Sequence, residues 1–319
     1  MKLLADYHVH SRNSRFKLTK SSIEDIARAA NAMGLESVAI TDHGFKHVFA
    51  CNKQKLIESR KIVDELNSVL GTTVLLGIEA NLLSEDGTLD VDDETLALVD
   101  ILLIGYHKMI KTDFASFFGK QKDTHEAIAA ATDAYCNAIE RYDVDIVAHP
   151  GHDIKIDMYR LGKTCAANGV MVELNNRHAN ISQDDMADLL RSGCQFVVSS
   201  DSYGAEGVGN VNNALRLIDK YNIPPERVVN VEFDNEQISK DDMLIAEDKK
   251  RLEDYKKKVA KNSTLSTETE DKLRVLAKEK GVYIEEYSDD EYFKATLSAE
   301  ERAVVEQAEA YLRRHGKIK

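Results

Sequence analysis

The sequence predicts an α/β fold whose parallel strands close into a barrel. Two observations predict it. Short apolar runs alternate with helix-period segments along the first two thirds of the chain, and seven of them end in a metal-capable side chain: His8/His10, His43, Glu79, His107, His149, Glu173 and Asp201. The runs lack the strict alternation of a half-exposed sheet and read instead as strands covered by helices. A barrel gathers all its C-terminal strand ends around one mouth, whereas an open sheet focuses its ligand at one switch point, so the spread of these residues favours closure.

The elements follow in order. Seven strands are expected to begin near residues 4, 37, 74, 100, 144, 170 and 195. Residues 22–33, SIEDIARAANAM, place apolar side chains at 23, 26, 27, 30 and 33, with Ser22 as cap, Asp25 completing a capping box and Gly34 as the stop. Further helices are expected over roughly 53–69, 124–140, 157–167 and 183–191, each preceding a strand, and around 211–219. The stretch KMIKTDFASFFGKQKD after His107 has no period and reads as a lid over the mouth or as a surface loop. Gly204, Gly207 and Gly209 lie in AEGVGN or beside it, without the full GxGxxG order or a Walker lysine, so they read as a loop feeding the next helix.

A change of character sets the expected boundary between a domain at 1–235 and an extension at 236–319. Residues 241–319 hold 17 Lys/Arg and 19 Asp/Glu, yet helical patterns persist around 269–280 and 298–314, with KNSTLSTETE as a linker. The extension reads as mainly helical, with self-association, a protein contact or a cap over the barrel base as its open roles.

The 319-residue chain carries a formal charge of −13, which disfavours stable nucleic-acid binding but leaves room for a local basic pocket holding one phosphate. Cys51, Cys136, Cys165 and Cys194 lack CxxC spacing and read as buried free thiols, which suits a reducing cytoplasm. MKLLADYHVH turns polar after a few residues and no run approaches 18 apolar residues, so neither a signal peptide nor a membrane span is expected.

His8 and His10, two apart in a strand, point to one side and can bind one ion or adjacent ions. Glu79 can bridge two cations, His107 and His149 offer neutral nitrogens, and Asp201 an anionic oxygen. Glu173, costly to bury unpaired, reads as a group that orients a ligand. His152 lies near enough in sequence to enter the cavity, whereas His47, His125, His178 and His315 read as surface histidines. Arg12, Arg15, Lys17, Lys108 and Arg177 closely follow strand ends and are candidates for a substrate phosphate. Tyr106 and Tyr203 are candidates for shaping the cavity.

DYHVHS at 6–11, AITDHG at 39–44, GIEAN at 77–81, GYH at 105–107, AHPGH at 148–152, VELNN at 172–176 and SSDSY at 199–203 together resemble the PHP superfamily of phosphoesterases. The resemblance spans the chain to about residue 232. It implies a distorted (β/α)7 TIM-like barrel of PHP type, with metals at the C-terminal strand ends and the charged extension appended. By matching position, His8, His10, Glu79 and Asp201 look like ligands of one ion, and Glu79, His107 and His149 like ligands of a second. Zinc, manganese or iron is implied, because histidine-rich ligation disfavours magnesium. Members with a third ion commonly add a histidine shortly after HxH and another in the last motif. Here those places read RNSRF and Ser200-Asp201-Ser202-Tyr203, so two ions are expected and a third is open, with His47, His152 or Tyr203 as substitutes.

The expected activity is metal-dependent hydrolysis of a small-molecule phosphomonoester, with His43 positioning phosphate or protonating the leaving oxygen, Asp201 holding metal and water, and Arg15 or Arg177 neutralising oxygen charge. Two rivals stand beside it: a phosphodiesterase or exonuclease, and a regulatory or structural barrel that keeps metals without turnover.

Overall fold

A computed structural model of the chain describes residues 1–14, 20–116, 118, 121–122 and 124–233. Arg15, Lys17 and the extension expected at 236–319 lie outside the described residues.

The chain opens with β1 (Lys2–Leu3) and β2 (Ala5–His10), then runs α1 (Ile23–Ala32), β3 (Ser37–His43), α2 (Lys53–Asn67), β4 (Thr73–Asn81), a short α3 (Asp93–Leu96) and β5 (Ile101–Gly105). It continues through α4 (His125–Arg141), β6 (Ile146–Val147), α5 (Met158–Asn168), β7 (Met171–Asn175), α6 (Gln183–Ser192), β8 (Gln195–Ser199), β9 (Ser202–Tyr203), α7 (Asn212–Tyr221) and β10 (Val231–Glu232). Six helices thus stand where the periodicity places them, within a residue or two at most ends. The capping box of α1 forms as expected: the Asp25 N–H donates to Ser22 Oγ at 3.2 Å and the Ser22 N–H to Asp25 Oδ2 at 2.8 Å. The sixth strand is shorter than its apolar run suggests, because the chain turns at Ala148-His149.

One parallel sheet runs β8-β7-β6-β5-β4-β3-β2-β9, and β1 pairs separately with β10. Only Ser200 and Asp201 separate β8 from β9. They act as one interrupted strand whose lower half pairs with β7 and whose upper half pairs with β2, through Val9↔Ser202 and His10↔Tyr203. The sheet therefore closes on itself as a distorted seven-stave barrel.

Side chains complete the seam where no ladder joins β2 to β8 among the described residues. Asn230 donates from Nδ2 to the carbonyls of Ala5 and Val198, both at 2.7 Å, and accepts the Val198 N–H on Oδ1 at 2.9 Å. Higher up, the Asp6 carboxylate accepts the N–H groups of Ser200 at 3.0 Å and Gly209 at 2.8 Å.

The barrel floor is apolar, with Ala39, Ile101, Leu103, Ile146 and Val197 clustered inside it. Outward residues of β2 to β4, among them Val9, Val38, Ile40 and Leu76, pack on Ile23, Ile26, Leu56 and Val63 of α1 and α2. Full burial of each such side chain contributes about 2 kcal/mol. Period two then sends Thr41 and His43, Glu79 and Asn81, and Glu173 and Asn175 toward the interior above the floor. Gly77 is required on this inner face: a Cβ there would lie 2.7 Å from Ile101 Cγ2 and 2.9 Å from the Ile101 carbonyl oxygen.

Candidate metal centre

Glu79, at the end of β4, is completely buried, and its two oxygens face different partners. Oε2 lies 3.4 Å from His8 Nε2 and 3.6 Å from His10 Nε2, while Oε1 lies 3.2 Å from His107 Nε2 and 2.9 Å from His149 Nε2. Asp201 Oδ1 closes the first group, 3.8 Å from His8 Nε2 and 3.4 Å from His10 Nε2. These atoms form two sets that share one carboxylate: His8, His10, Asp201 and Glu79, and Glu79, His107 and His149.

The donors fit divalent cations. His8 Nε2 and His10 Nε2 are buried without a hydrogen-bond partner, and His43 Nδ1 and Glu79 Oε2 face each other beside them at 2.8 Å, a concentration of buried polar atoms that native interiors avoid unless an ion satisfies them. The separations of 3.4–3.8 Å within the first set also match the roughly 3.4 Å edge of a tetrahedron whose metal–ligand bonds are about 2.1 Å.

Orienting hydrogen bonds aim the rings. His8 Nδ1–H donates to Glu173 Oε1 at 2.8 Å, leaving Nε2 as a lone pair toward the cavity. Ser14 gives its hydroxyl proton to Asp42 Oδ1 at 2.6 Å, so its oxygen accepts from His10 Nδ1–H at 3.3 Å. Asn81 donates from Nδ2 to Asp90 Oδ2 at 2.6 Å, which leaves its Oδ1 to accept His107 Nδ1–H at 2.7 Å. Each chain fixes an imidazole tautomer with Nε2 available. Gly105 keeps space for this arrangement, since a Cβ there would stand 3.3 Å from His149 Cε1 and 3.6 Å from Glu79 Oε1.

Burial pushes the Glu79 carboxyl up, but the charges of His107, His8 and His43 outweigh it and hold the pKa well below the usual range. Burial pushes His8 down, and the carboxylates of Glu173, Glu79 and Asp201 override it, raising the ring well above 6.5. At Asp201, burial is likewise overcome by His8 and His10, which lower the carboxyl. The backbone carries a cost here as well: His149 has φ 29° and Asp201 φ 52°, left-handed conformations that cost about 1–3 kcal/mol each outside glycine.

The rim departs from sequence expectation at three positions. His47 and His178, read as surface histidines, both stand at the mouth: the His47 ring lies 3.8 Å from that of His43, and His178 Nε2 lies 3.5 Å from Asp201 Oδ2. Both follow strand ends within short loops, and no period marks them. Tyr106 points the other way. It alternates with inward Gly105 and His107, and packs beside Phe114 in the layer beneath the helices. His152 enters the rim by stacking on His178, with 3.7 Å between ring centroids. Tyr203 places its hydroxyl 2.9 Å from His43 Nε2, and the exposed Arg177 guanidinium lies over the Tyr203 ring at 4.5 Å. The orienting amides Asn81 and Asn175 escaped the sequence reading, although each stands two residues past a singled-out carboxylate and so shares its face.

A parallel barrel with histidine and carboxylate donors gathered at its C-terminal rim fits a hydrolase that binds divalent metal. The chain belongs to the PHP domain family, whose model matches residues 6–177. Among its relatives, a "Probable phosphatase" of Shewanella sediminis is 33% identical over 72% of this chain and 90% of its own length, and one of Edwardsiella ictaluri is 30% identical over 70% and 89%. A histidinol phosphate phosphatase from Lactococcus lactis, solved with zinc, L-histidinol and phosphate, is 15% identical with a TM-score of 0.48, covering 69% of this chain and 94% of that one. Family and site together make the protein a phosphoesterase. Among the described residues, no helix is long and apolar enough to cross a membrane.

Proposed function

We propose that the chain hydrolyses small-molecule phosphomonoesters, with His8, His10, Glu79 and Asp201 holding one divalent cation and Glu79, His107 and His149 a second. The observation that carries this reading is the division of Glu79, whose Oε2 faces His8 and His10 while Oε1 faces His107 and His149. When bound, a pair of zinc, manganese or iron ions lowers the pKa of a water and offsets charge on phosphoryl oxygens.

The chain's own groups supply the rest. Glu173 and Asn175 hold His8 and Asp201 in place, since Asn175 Nδ2 donates to Glu173 Oε2 at 2.9 Å and to Asp201 Oδ2 at 3.1 Å. His43 and Tyr203, joined through Nε2 and the hydroxyl, position the phosphate near the leaving oxygen. Arg177, held over Tyr203, brings a positive charge to phosphoryl oxygens as they gain charge in the transition state. The cost of burying these ligands is recovered only with cations bound, which supports a metal-loaded centre.

The test is metal analysis of the purified protein, paired with hydrolysis screening of sugar phosphates, amino-alcohol phosphates, nucleotides and short oligonucleotides. Turnover of monoesters that disappears in Glu79→Gln is expected. Stoichiometric metal with no turnover across the panel would sink the proposal, and preference for oligonucleotides would replace it with a phosphodiesterase.

A further inference from the structure

His43, His47 and His107 each offer a ring nitrogen within 4.8 Å of the others, an arrangement resembling a third cation site. The hydrogen bonds around the three rings assign them differently. His107 commits Nδ1 to Asn81, and its Nε2 faces Glu79 Oε1 at 3.2 Å. His43 directs Nδ1 toward Glu79 Oε2 at 2.8 Å and Nε2 toward the Tyr203 hydroxyl at 2.9 Å. His47 accepts the backbone N–H of Phe49 on Nδ1 at 3.2 Å. A nitrogen that accepts a hydrogen bond carries the ring's lone pair, so the proton of a neutral His47 sits on Nε2. Binding a cation through Nε2 would require moving that proton to Nδ1, and binding through Nδ1 would displace the Phe49 N–H, so either mode costs the ring its backbone hydrogen bond.

We propose that His47 is a hydrogen-bond donor of fixed tautomer, presenting Nε2–H to a phosphoryl oxygen of the substrate, and not the ligand of a third cation. The inference rests on the phosphoesterase reading and adds a residue to its phosphate site. His47 is built into place. The Lys46 N–H donates to Asp90 Oδ2 at 2.7 Å, the His47 N–H to the Gly44 carbonyl at 3.2 Å, and the Ala50 N–H to the His47 carbonyl at 3.0 Å. Asp90 also anchors Asn81, and through it His107, so one carboxylate registers both the loop and a metal-facing ring. The ring stacks on His43, stands edge-on to His107 at 4.9 Å, and is half-buried, within reach of a ligand entering the mouth. Among the described residues its Nε2 has no partner.

The experiment measures binding of inorganic phosphate to the metal-loaded protein by calorimetry, with metal counted per chain, in wild type, His47→Ala, His47→Gln and His47→Asn. The Gln amide reaches the position of Nε2, whereas the Asn amide reaches only that of Nδ1. His47→Ala is expected to bind phosphate about tenfold more weakly at an unchanged metal count, with His47→Gln recovering most of the loss and His47→Asn little. Loss of one metal equivalent in His47→Ala and His47→Gln overturns the proposal in favour of a third cation. Unchanged phosphate affinity in all three variants overturns it in favour of a structural ring. Wild type that takes up metal but binds no phosphate defeats the phosphoesterase reading itself, and this inference with it.

Discussion

Glu173 reaches from β7 to hold His8 on β2, with Oε1 2.8 Å from Nδ1, while its Oε2 accepts the backbone N–H of His149 at 2.7 Å. One carboxylate thereby sets the ring angle of a residue in the first donor set and the strained backbone of a residue in the second. Glu173→Gln keeps the shape but puts an amide where an anion faced a ring N–H. Both cations are expected to bind about 10–100-fold more weakly, a change that competition with a chelating indicator will measure.

Glu79→Gln strikes the shared ligand. One of the two facing oxygens becomes an NH2 group, which cannot coordinate, so one cation is expected to be lost outright and hydrolysis to fall by more than about a hundredfold. Elemental analysis and phosphate-release assays on the same preparation check both outcomes. Full metal occupancy with normal turnover would remove Glu79 from the centre.

The pH dependence of stability should reverse when metal is added. In the metal-free protein His8 has a raised pKa, so its imidazolium form contributes stability that is fully present below about 6.5 and is lost as pH rises through the folded value. Glu79 and Asp201, with lowered pKa values, contribute stability that is present above about 4.5 and is lost in acid. A cation must displace the His8 proton, so its stabilisation grows as pH rises. Melting curves with and without saturating manganese are expected to diverge steadily from about pH 6 to pH 8. Curves that stay parallel would show that His8 does not release a proton on binding.

Asn230 tests the barrel seam independently of the site. Its side chain makes three buried hydrogen bonds to the strands at either edge of the seam. Asn230→Ala leaves a Val198 N–H and two carbonyls short of partners and is expected to cost about 3 kcal/mol, read as a shift in the urea midpoint. The fully folded variant should bind metal like wild type.

The centre was legible wherever period two and chemical type agree. His8 with His10 and Glu79 could be read because strands send alternate side chains to one face and because imidazole and carboxylate in that setting have few structural uses. The family motifs added the pairing into two sets. His178 was hidden, and His47 readable only as a substitute ligand for a third ion, because loops carry no period. Asn81 and Asn175 were hidden because amides bind metals poorly and act through the rings and carboxylates they hold. Closure of the barrel was readable as a preference, but the break at Ser200-Asp201 and the bridging role of Asn230 were not. Both depend on contacts between residues nearly two hundred positions or more apart, such as the Asp6–Ser200 bond.

The same separation dictates when the centre can exist during synthesis. His8 and His10 are made first, but Asp201 arrives almost at the end of the barrel, and the two meet only once β9 has docked on β2. A ribosome-bound chain halted before that point already carries Glu79, His107 and His149 but lacks the carboxylate that closes the set around His8 and His10. Completion of the first donor set is thus a late event of folding, and fragments that stop short of β9 are expected to hold cations through the second set alone.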